Sequence, residues 1–203
     1  MSTSKTTAGS AGGIAVERDG SLGAAEFLVS FINTRTDGAG NVERFGNAAD
    51  FTAWGAEMGL LEAGETATES DAVAARELRE ALRVVLRIHS NDDELQAGQI
   101  DAAERFLREA GARYSLVAVV TSDGADLVAE ANGVPGILGT VFAAATIAAQ
   151  RGEWNLVKAC RSPVCHRAFF DRTRNHGGHF CSAGCGSRVS MRAHRERQRQ
   201  SAK

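Results

Sequence analysis

The sequence predicts an α+β fold, with a mainly helical N-terminal domain that carries a small antiparallel sheet, followed by a small cysteine-rich C-terminal module. The first part of the chain shows helical apolar periodicity around a single β-rich hairpin pattern. All four cysteines lie in the last 46 residues. That segment also holds eleven basic and two acidic residues, a net charge of +9, which leaves 12 bases, 23 acids and a net charge of −11 before it. Charge and cysteine content therefore divide the chain at the same place.

Length and composition set the domain plan. With 203 residues, 43% hydrophobic and 24% charged, the chain suits one ordinary domain plus a small appendage. Residues 1–13 contain little but small and polar side chains and are predicted to be disordered. Residues 14–153 form the predicted helical domain and residues 154–203 the basic module. Because the start lacks the apolar stretch of a secretory signal and no run of about 18 apolar residues is found, we expect a cytoplasmic protein without membrane contact.

Two short helices open the predicted domain. Apolar residues at near-helical spacing between Leu22 and Ile32 predict a first helix that ends before Asn33. Asp50 is expected to cap a second helix, with Gly59 as its C-terminal stop.

The third helix has the strongest pattern in the chain and extends from Asp71 to His89. His89 is expected to be a surface or capping histidine. The favoured interpretation of the arginines on this helix is a solvated face whose charges are balanced by nearby acidic residues. An anion contact is the alternative. The apolar face consists of Ala74, Leu78, Ala81, Leu82, Val85 and Leu86, and the arginines are Arg76, Arg79, Arg83 and Arg87.

A hairpin separates the last two helices of the domain. Asp101 is expected to cap a fourth helix that ends at Gly111. The β-rich segments 114–121 and 127–131, with a turn between them, predict the hairpin. Pro135 opens a nearly all-apolar helix that Gly152 ends, and we expect that helix to be buried because it is too short for a membrane.

The cysteine spacing, C-x4-C-x15-C-x3-C, indicates a structural zinc site. Two close pairs of thiolates supply the four tetrahedral ligands that Zn²⁺ prefers, and metal binding can order a segment with few apolar residues. A redox disulfide is the minor alternative, and replacement of one cysteine by His179 or His176 stays open. The predicted ligands are Cys160, Cys165, Cys181 and Cys185.

The flanking sequence predicts the shape of the module. Segments 155–160 and 167–171 have the character of short strands, and segment 182–200 is compatible with a helix. A helix there would carry the second cysteine pair in its first turn, where the helix dipole favours thiolate charge. A zinc knuckle, a hairpin and a ligand-donating helix form a treble-clef-like zinc finger.

The predicted helix carries a stripe of arginines, which indicates binding to a polyanion. Arginine suits phosphate oxygens and guanine edges, and one glutamate is the stripe's available partner within the helix. DNA is the favoured partner, although a basic helix alone does not distinguish it from RNA. The stripe consists of Arg188, Arg192, Arg195 and Arg199.

The module resembles the CGNR zinc finger, a bacterial family. The segments that carry the resemblance are Cys160-x4-Cys165-x3-Phe169-x-Asp171-x-Thr173-Arg174, Cys181-Ser182 and Cys185-Gly186-Ser187-Arg188. The sequence departs from the family pattern at Thr173, at Ser187, and at Gly178-His179-Phe180, where the family has Arg-Arg-Trp. The resemblance implies that the four cysteines bind zinc and that Arg174 and Arg188 contact DNA.

The preceding domain resembles the ABATE domain. The resemblance rests on Phe31-Ile32-Asn33-Thr34, on the Phe51-Thr52-Ala53-Trp54 helix that ends at Gly59-Leu60, and on the Leu78-Arg79-x2-Leu82 helix. It implies a stress-induced transcription regulator.

The residues favour a DNA-binding regulator whose acidic domain forms a homodimer or senses a small-molecule effector. The alternative is a redox or zinc sensor whose finger makes protein or RNA contacts. A nuclease that uses Asp171 beside a histidine is less favoured, and because no nucleophile arrangement is found, the chain is not predicted to be an enzyme. The candidate nucleic-acid contacts are Arg172, Arg174, Arg188, Arg192, Arg195 and Arg199.

Overall fold

The computed structural model describes residues 23–35 and 42–201. This part of the chain forms six α-helices, a single 3₁₀ turn and two antiparallel two-stranded sheets, and so confirms the predicted α+β fold. The start predicted to be disordered, residues 1–13, lies outside the described residues. In chain order the elements are α1 (Ala24–Ile32), α2 (Ala48–Glu57), α3 (Glu69–His89), α4 (Ala97–Gly111), β1 (Leu116–Thr121), β2 (Gly124–Ala129), α5 (Gly133–Gln150), the 3₁₀ turn (Trp154–Leu156), β3 (Val157–Ala159), β4 (Ala168–Phe170) and α6 (Ala183–Ser201).

Two of the predicted helix caps are wrong. α2 is capped by Asn47, whose side-chain oxygen accepts a hydrogen bond from the Asp50 amide at 2.9 Å. Asp50 therefore lies in the first turn, where its negative charge interacts favourably with the helix dipole. α4 begins before Asp101, where the Gln99 side chain accepts a hydrogen bond from the Gln96 amide at 3.0 Å. The side chains of Asn47 and Gln99, which precede the two aspartates, therefore accept the hydrogen bonds at these helix starts.

The predicted glycine stops are confirmed. Gly59 follows α2 with a φ of +68°, and Gly152 follows α5 with a φ of +73°. Side chains with a Cβ rarely adopt this backbone conformation, so glycine ends both helices at low cost.

An aromatic cluster fills the centre of the N-terminal domain. Phe45 lies 4.9 Å from Phe51 and 5.2 Å from Trp54, measured between ring centroids. Phe31 packs on Phe45 and Trp54, with ring centroids 5.5 and 5.7 Å away. All four rings are buried, and this cluster ties α1 and α2 to the loop that joins them.

The apolar helix α5 packs beside this cluster. Its 18 residues have a mean hydropathy of 1.4, so by length and composition the helix could cross a membrane, and the expectation that it is too short is wrong. However, 56% of the helix is buried inside the protein. Ile137, Leu138 and Val141 are almost fully buried in the common core, which is the environment predicted for this helix.

Two arginines of α3 are buried, so the interpretation of a solvated face is wrong for them. The side chain of Arg79 is 1% exposed and that of Arg83 is 7% exposed. Arg79 donates to both carboxylate oxygens of Glu43 at 2.7 Å and to the hydroxyl of Thr34 at 3.2 Å. Burial would raise the pKa of Glu43, but the Arg79 guanidinium holds it below its usual value. This face of α3 is a buried ion-pair network.

The C-terminal module shares the core of the preceding domain. Val157 and Ala159 of β3 and Ala168 of β4 are buried in one cluster with the helices. The Asn33 side chain donates to the Ala168 carbonyl and accepts from the Ala168 amide, both at 2.9 Å. The Ser90 hydroxyl donates to the Ala159 carbonyl at 2.5 Å. The second hairpin, formed by β3 and β4, is therefore held by hydrogen bonds between its backbone and side chains at the ends of α1 and α3.

Replacing Asn33 by alanine tests this attachment. Asn33→Ala removes two hydrogen bonds and leaves the Ala168 backbone groups without a partner, so the free energy of unfolding should fall by about 1–3 kcal/mol in urea titration. Asn155→Ala, the same change at an exposed asparagine of the 3₁₀ turn, should stay within about 0.5 kcal/mol. Equal losses in the two variants would contradict the contact.

His89 makes stability depend on pH. It is half-buried against β3, with Nδ1 2.8 Å from the Val157 carbonyl oxygen, so the expected surface or capping role is wrong. Burial lowers the pKa of His89, the Val157 carbonyl opposes that effect and nearby Lys158 adds to it. Between the ordinary pKa of histidine, 6.5, and the lowered pKa of His89, the folded protein binds fewer protons than the unfolded chain, so stability falls as the pH falls through that window.

His89→Gln keeps an amide donor for Val157 and removes the titration. Between about pH 7.5 and about pH 5.5 the wild type should lose about 0.5 kcal/mol more than this variant, a small figure because the ring is partly exposed. The exposed His194→Gln should keep the wild-type dependence. Parallel pH profiles for the wild type and His89→Gln in denaturant titrations would refute this role.

Candidate metal centre and basic surface

The four cysteines lie in the hairpin of β3 and β4 and at the start of α6. Cys160 directly follows β3, and Cys165 lies in the turn before β4, where its amide donates to the Ser162 carbonyl at 2.9 Å. Cys181 precedes α6, and Cys185 lies in the first turn of that helix. The hairpin of β3 and β4 and the start of α6 thus carry two ligands each, but the prediction that both Cys181 and Cys185 lie in the first turn of the helix is wrong for Cys181, which precedes it.

The sulfur atoms are spaced as a zinc ion requires. All four Sγ atoms lie within 4.8 Å of one another. Cys165 Sγ is 3.7 Å from Cys181 Sγ, which is 3.8 Å from Cys185 Sγ. A tetrahedron with Zn–S bonds of about 2.3 Å has edges of about 3.8 Å. The site therefore fits Zn²⁺, which an all-thiolate tetrahedral donor set favours over harder cations.

The protein environment disfavours the thiolate form of two of these cysteines. Burial raises the pKa of the Cys160 thiol. Burial and the neighbouring cysteines also raise the pKa of Cys181. Four adjacent thiolates would repel one another, and a divalent cation removes that cost. Because the ligands must lose their protons, zinc affinity should fall with falling pH.

The nearby histidines lie outside the sulfur cluster. Within the described residues, the cluster that could hold a metal consists of the four cysteines alone. His179 Nδ1 lies 3.2 Å from the Ser90 carbonyl oxygen, so this ring contacts the end of α3. His176 contributes its backbone carbonyl, which accepts from Lys158 Nζ at 2.6 Å. The open alternative of a histidine ligand gains no support.

A buried ion pair that the sequence analysis did not predict shapes the loop between β4 and α6. Lys158 Nζ donates to Asp171 Oδ2 at 2.7 Å, and both side chains are buried. The other oxygen, Oδ1, accepts from the Thr173 amide at 3.0 Å and from its hydroxyl at 2.7 Å. Burial would raise the pKa of Asp171, but Lys158 and the Thr173 donors lower it strongly. Asp171 is thus held in place as a structural anion, which leaves the nuclease hypothesis without its acid.

The same aspartate lies close to Gly178, one of the positions where the sequence departs from the family pattern. The Gly178 amide donates to Asp171 Oδ2 at 2.8 Å. A Cβ at Gly178 would lie 2.8 Å from Asp171 Oδ1, which is too close without movement. Glycine at this position therefore permits the close approach of loop and carboxylate. The signal that could have indicated this role is Asp171 itself, which belongs to the motif quoted above.

All six candidate nucleic-acid contacts are exposed, but they divide into two groups. Arg172 and Arg174 lie in the loop after β4, and Arg172 pairs with Glu26 of α1 at 3.0 Å. On α6, Arg192 pairs with Glu196 at 3.0 Å, and Arg188 Nε donates to the Gly184 carbonyl at 3.2 Å. The α6 group extends about 16 Å along one exposed helix face and consists of Arg188, Arg192, Arg195 and Arg199.

A hairpin, a four-cysteine site and a ligand-bearing helix define a treble-clef-like zinc finger, here attached to a helical α+β domain. Comparison with protein families agrees. The CGNR zinc finger family matches residues 157–198, and the ABATE family, described as "Putative stress-induced transcription regulator", matches residues 25–152. The chain therefore belongs to the ABATE family and carries a CGNR zinc finger, and its cofactor is Zn²⁺. Neither of these is an enzyme family. No curated protein matches the sequence.

The metal site predicts the outcome of ligand substitution. The purified chain should hold one zinc ion, and Cys165→Ser should lose most of it because a serine hydroxyl is a poor ligand for this site. His179→Ala, which alters a ring in the loop between β4 and α6, should keep the zinc. Elemental analysis after dialysis measures both. Wild-type zinc content in Cys165→Ser, or loss of zinc in His179→Ala, would contradict the four-cysteine site.

Proposed function

We propose that the protein is a cytoplasmic, zinc-dependent transcription regulator that binds DNA through its finger. The observation that carries the proposal is the exposed arginine stripe of α6, which begins directly after the zinc-binding turn. Arginine forks pair with phosphate oxygens and with guanine edges. The family described as transcription regulators makes DNA the favoured nucleic acid, and RNA remains the alternative partner.

The packing of α6 supports a role in binding. Cys185 is its one buried residue among the described positions, and most of the other residues of the helix are polar. A helix with so little buried surface gains little from the protein core, and its own pairs such as Arg192–Glu196 contribute only tenths of a kcal/mol. A polyanion along the arginine face would supply the missing stabilisation.

The charge distribution supports the same partner. The last 46 residues carry +9, and four thiolates with one Zn²⁺ add about −2, so the segment stays strongly basic. The ion pairs of Arg172 with Glu26 and of Arg192 with Glu196 are exposed, and such pairs are weak enough for phosphates to replace. The remaining chain carries −11 and repels DNA, which directs the basic face toward the duplex.

The N-terminal domain has the regulatory role in this proposal. It would form a homodimer or receive a small-molecule effector, and the described contacts of Asn33, His89 and Ser90 with the second hairpin connect it to the finger.

Salt dependence of DNA binding tests the proposal. With about six phosphate contacts, the logarithm of the association constant should fall by about five for each tenfold rise in salt concentration. Fluorescence anisotropy with the zinc-loaded protein and labelled genomic fragments measures this slope. A slope near zero, or no binding at low salt, would rule the proposal out.

Matched variants locate the contact. Replacing Arg192 and Arg195 together by alanine should reduce the slope by about two while zinc content stays unchanged. Replacing Arg105 and Arg108, two exposed arginines of α4, should leave the slope as in the wild type. An unchanged slope in the α6 variant would show that DNA binds elsewhere.

A further inference from the structure

A small cavity rich in cationic side chains lies between α3 and the zinc knuckle. Its volume is about 130 Å³. Three arginines and one histidine line it together with a single carboxylate, so the arginines outnumber the acidic side chains of the lining. The lining residues are Arg35, Glu80, Arg83, Val84, Arg87 and His166.

The single carboxylate of the wall is shared among several guanidinium groups. Glu80 Oε1 accepts from Arg35 at 3.4 Å and from Arg79 at 3.1 Å, and Glu80 Oε2 lies 3.5 Å from Arg83 Nη1. The side chain of Arg83 is only 7% exposed. Several guanidinium groups therefore converge on this wall, and an oxyanion in the cavity would accept charge-assisted hydrogen bonds from them.

The two ends of the cavity belong to different parts of the protein. Arg87, from the last turn of α3, is held by an ion pair between its Nε and Asp92 Oδ2 at 2.7 Å. His166 directly follows the zinc ligand Cys165 and has a φ of +45°, which is uncommon for a residue with a side chain. The cavity therefore joins the helical domain to the knuckle that carries two of the cysteines.

Size limits what the cavity can hold. Its volume corresponds to about four water molecules at about 30 Å³ each. Most pockets for cofactors and drug-sized ligands measure about 300–1,000 Å³, so a whole nucleotide is too large. A tetrahedral oxyanion has a suitable size, and its oxygen atoms match the paired donors of arginine.

We propose that this cavity is a binding site for a phosphate group, either free phosphate or the terminal group of a small phosphate ester. The bound anion would bridge Arg83 and Arg87 of α3 to His166 of the zinc knuckle. The site is distinct from the proposed DNA contacts, because none of those six arginines lines the cavity. Its test therefore does not depend on DNA binding.

Calorimetric titration of the zinc-loaded full chain at constant ionic strength tests this site, with three probes in separate arms. Inorganic phosphate should bind with one ion per chain, and acetate should bind at least about tenfold more weakly, since it lacks the tetrahedral set of oxygens. Phenyl phosphate distinguishes the sources. Tighter binding than inorganic phosphate indicates an ester ligand, and weaker binding indicates the free ion. Absence of binding by both phosphate probes would overturn the proposal.

Variants separate the cavity from other basic surfaces. Arg83→Met should weaken phosphate binding by about tenfold or more. Because Arg83 is buried, the partly exposed Arg35→Gln provides a second variant, which should fold normally and bind phosphate several-fold more weakly. Arg105→Gln on α4 and the double alanine variant at Arg192 and Arg195 should bind as the wild type does. Wild-type affinity in Arg35→Gln, or a loss confined to the α6 variant, would contradict the assignment.

Amide chemical shifts give an independent readout of location. On addition of inorganic phosphate, the amide signals of Arg87 and His166 should shift with the same midpoint as the calorimetric titration. The signals of α6 residues should not follow that midpoint. Shifts restricted to α6 would place the anion on the basic helix and overturn the proposal.

Discussion

The convergence of four thiolates beneath the start of α6 is the constraint on which the C-terminal module depends. Its strands contribute a few small apolar residues to the core, and α6 contributes the buried Cys185. Hydrophobic burial of that extent cannot fix the direction of a mostly polar helix of 19 residues. Zinc held by Cys181 and Cys185 would fix the first turn, and the direction of every arginine further along the helix would follow from it.

The finger also depends on the domain that precedes it. The side chains of Asn33, His89 and Ser90 bind backbone atoms of the second hairpin, and the hairpin completes the common core. Lys158 and Asp171 then close the loop that leads to α6. These contacts form a continuous path from the helical domain to the metal, so a change in the position of α1 or α3 must either break them or move the hairpin.

The sequence predicted the features that local chemistry determines. Cysteine spacing, strand character and glycine stops depend on residues a few positions apart, and for these the metal site, both hairpins and the helix ends agree with the structure. The predicted caps at Asp50 and Asp101 failed because an aspartate favours the whole first turn of a helix and an amide residue can take the cap before it. Helical periodicity placed the arginines of α3 on one face. It could not show that Glu43, 36 residues before Arg79, would form an ion pair with the buried guanidinium of Arg79. Lys158 likewise gave no local signal, since its partner Asp171 lies 13 residues away across the hairpin.

Hydrogen exchange with and without zinc tests most directly whether the metal orders the module. Amides of α6 and of the loop after β4 should lose protection when a chelator removes the ion, while amides of α3 and α5 should keep most of theirs, because their core does not involve the metal. Restoring Zn²⁺ should restore the protection of α6. Unchanged protection of α6 in the zinc-free protein would show that the helix is ordered without the ion and would contradict the account.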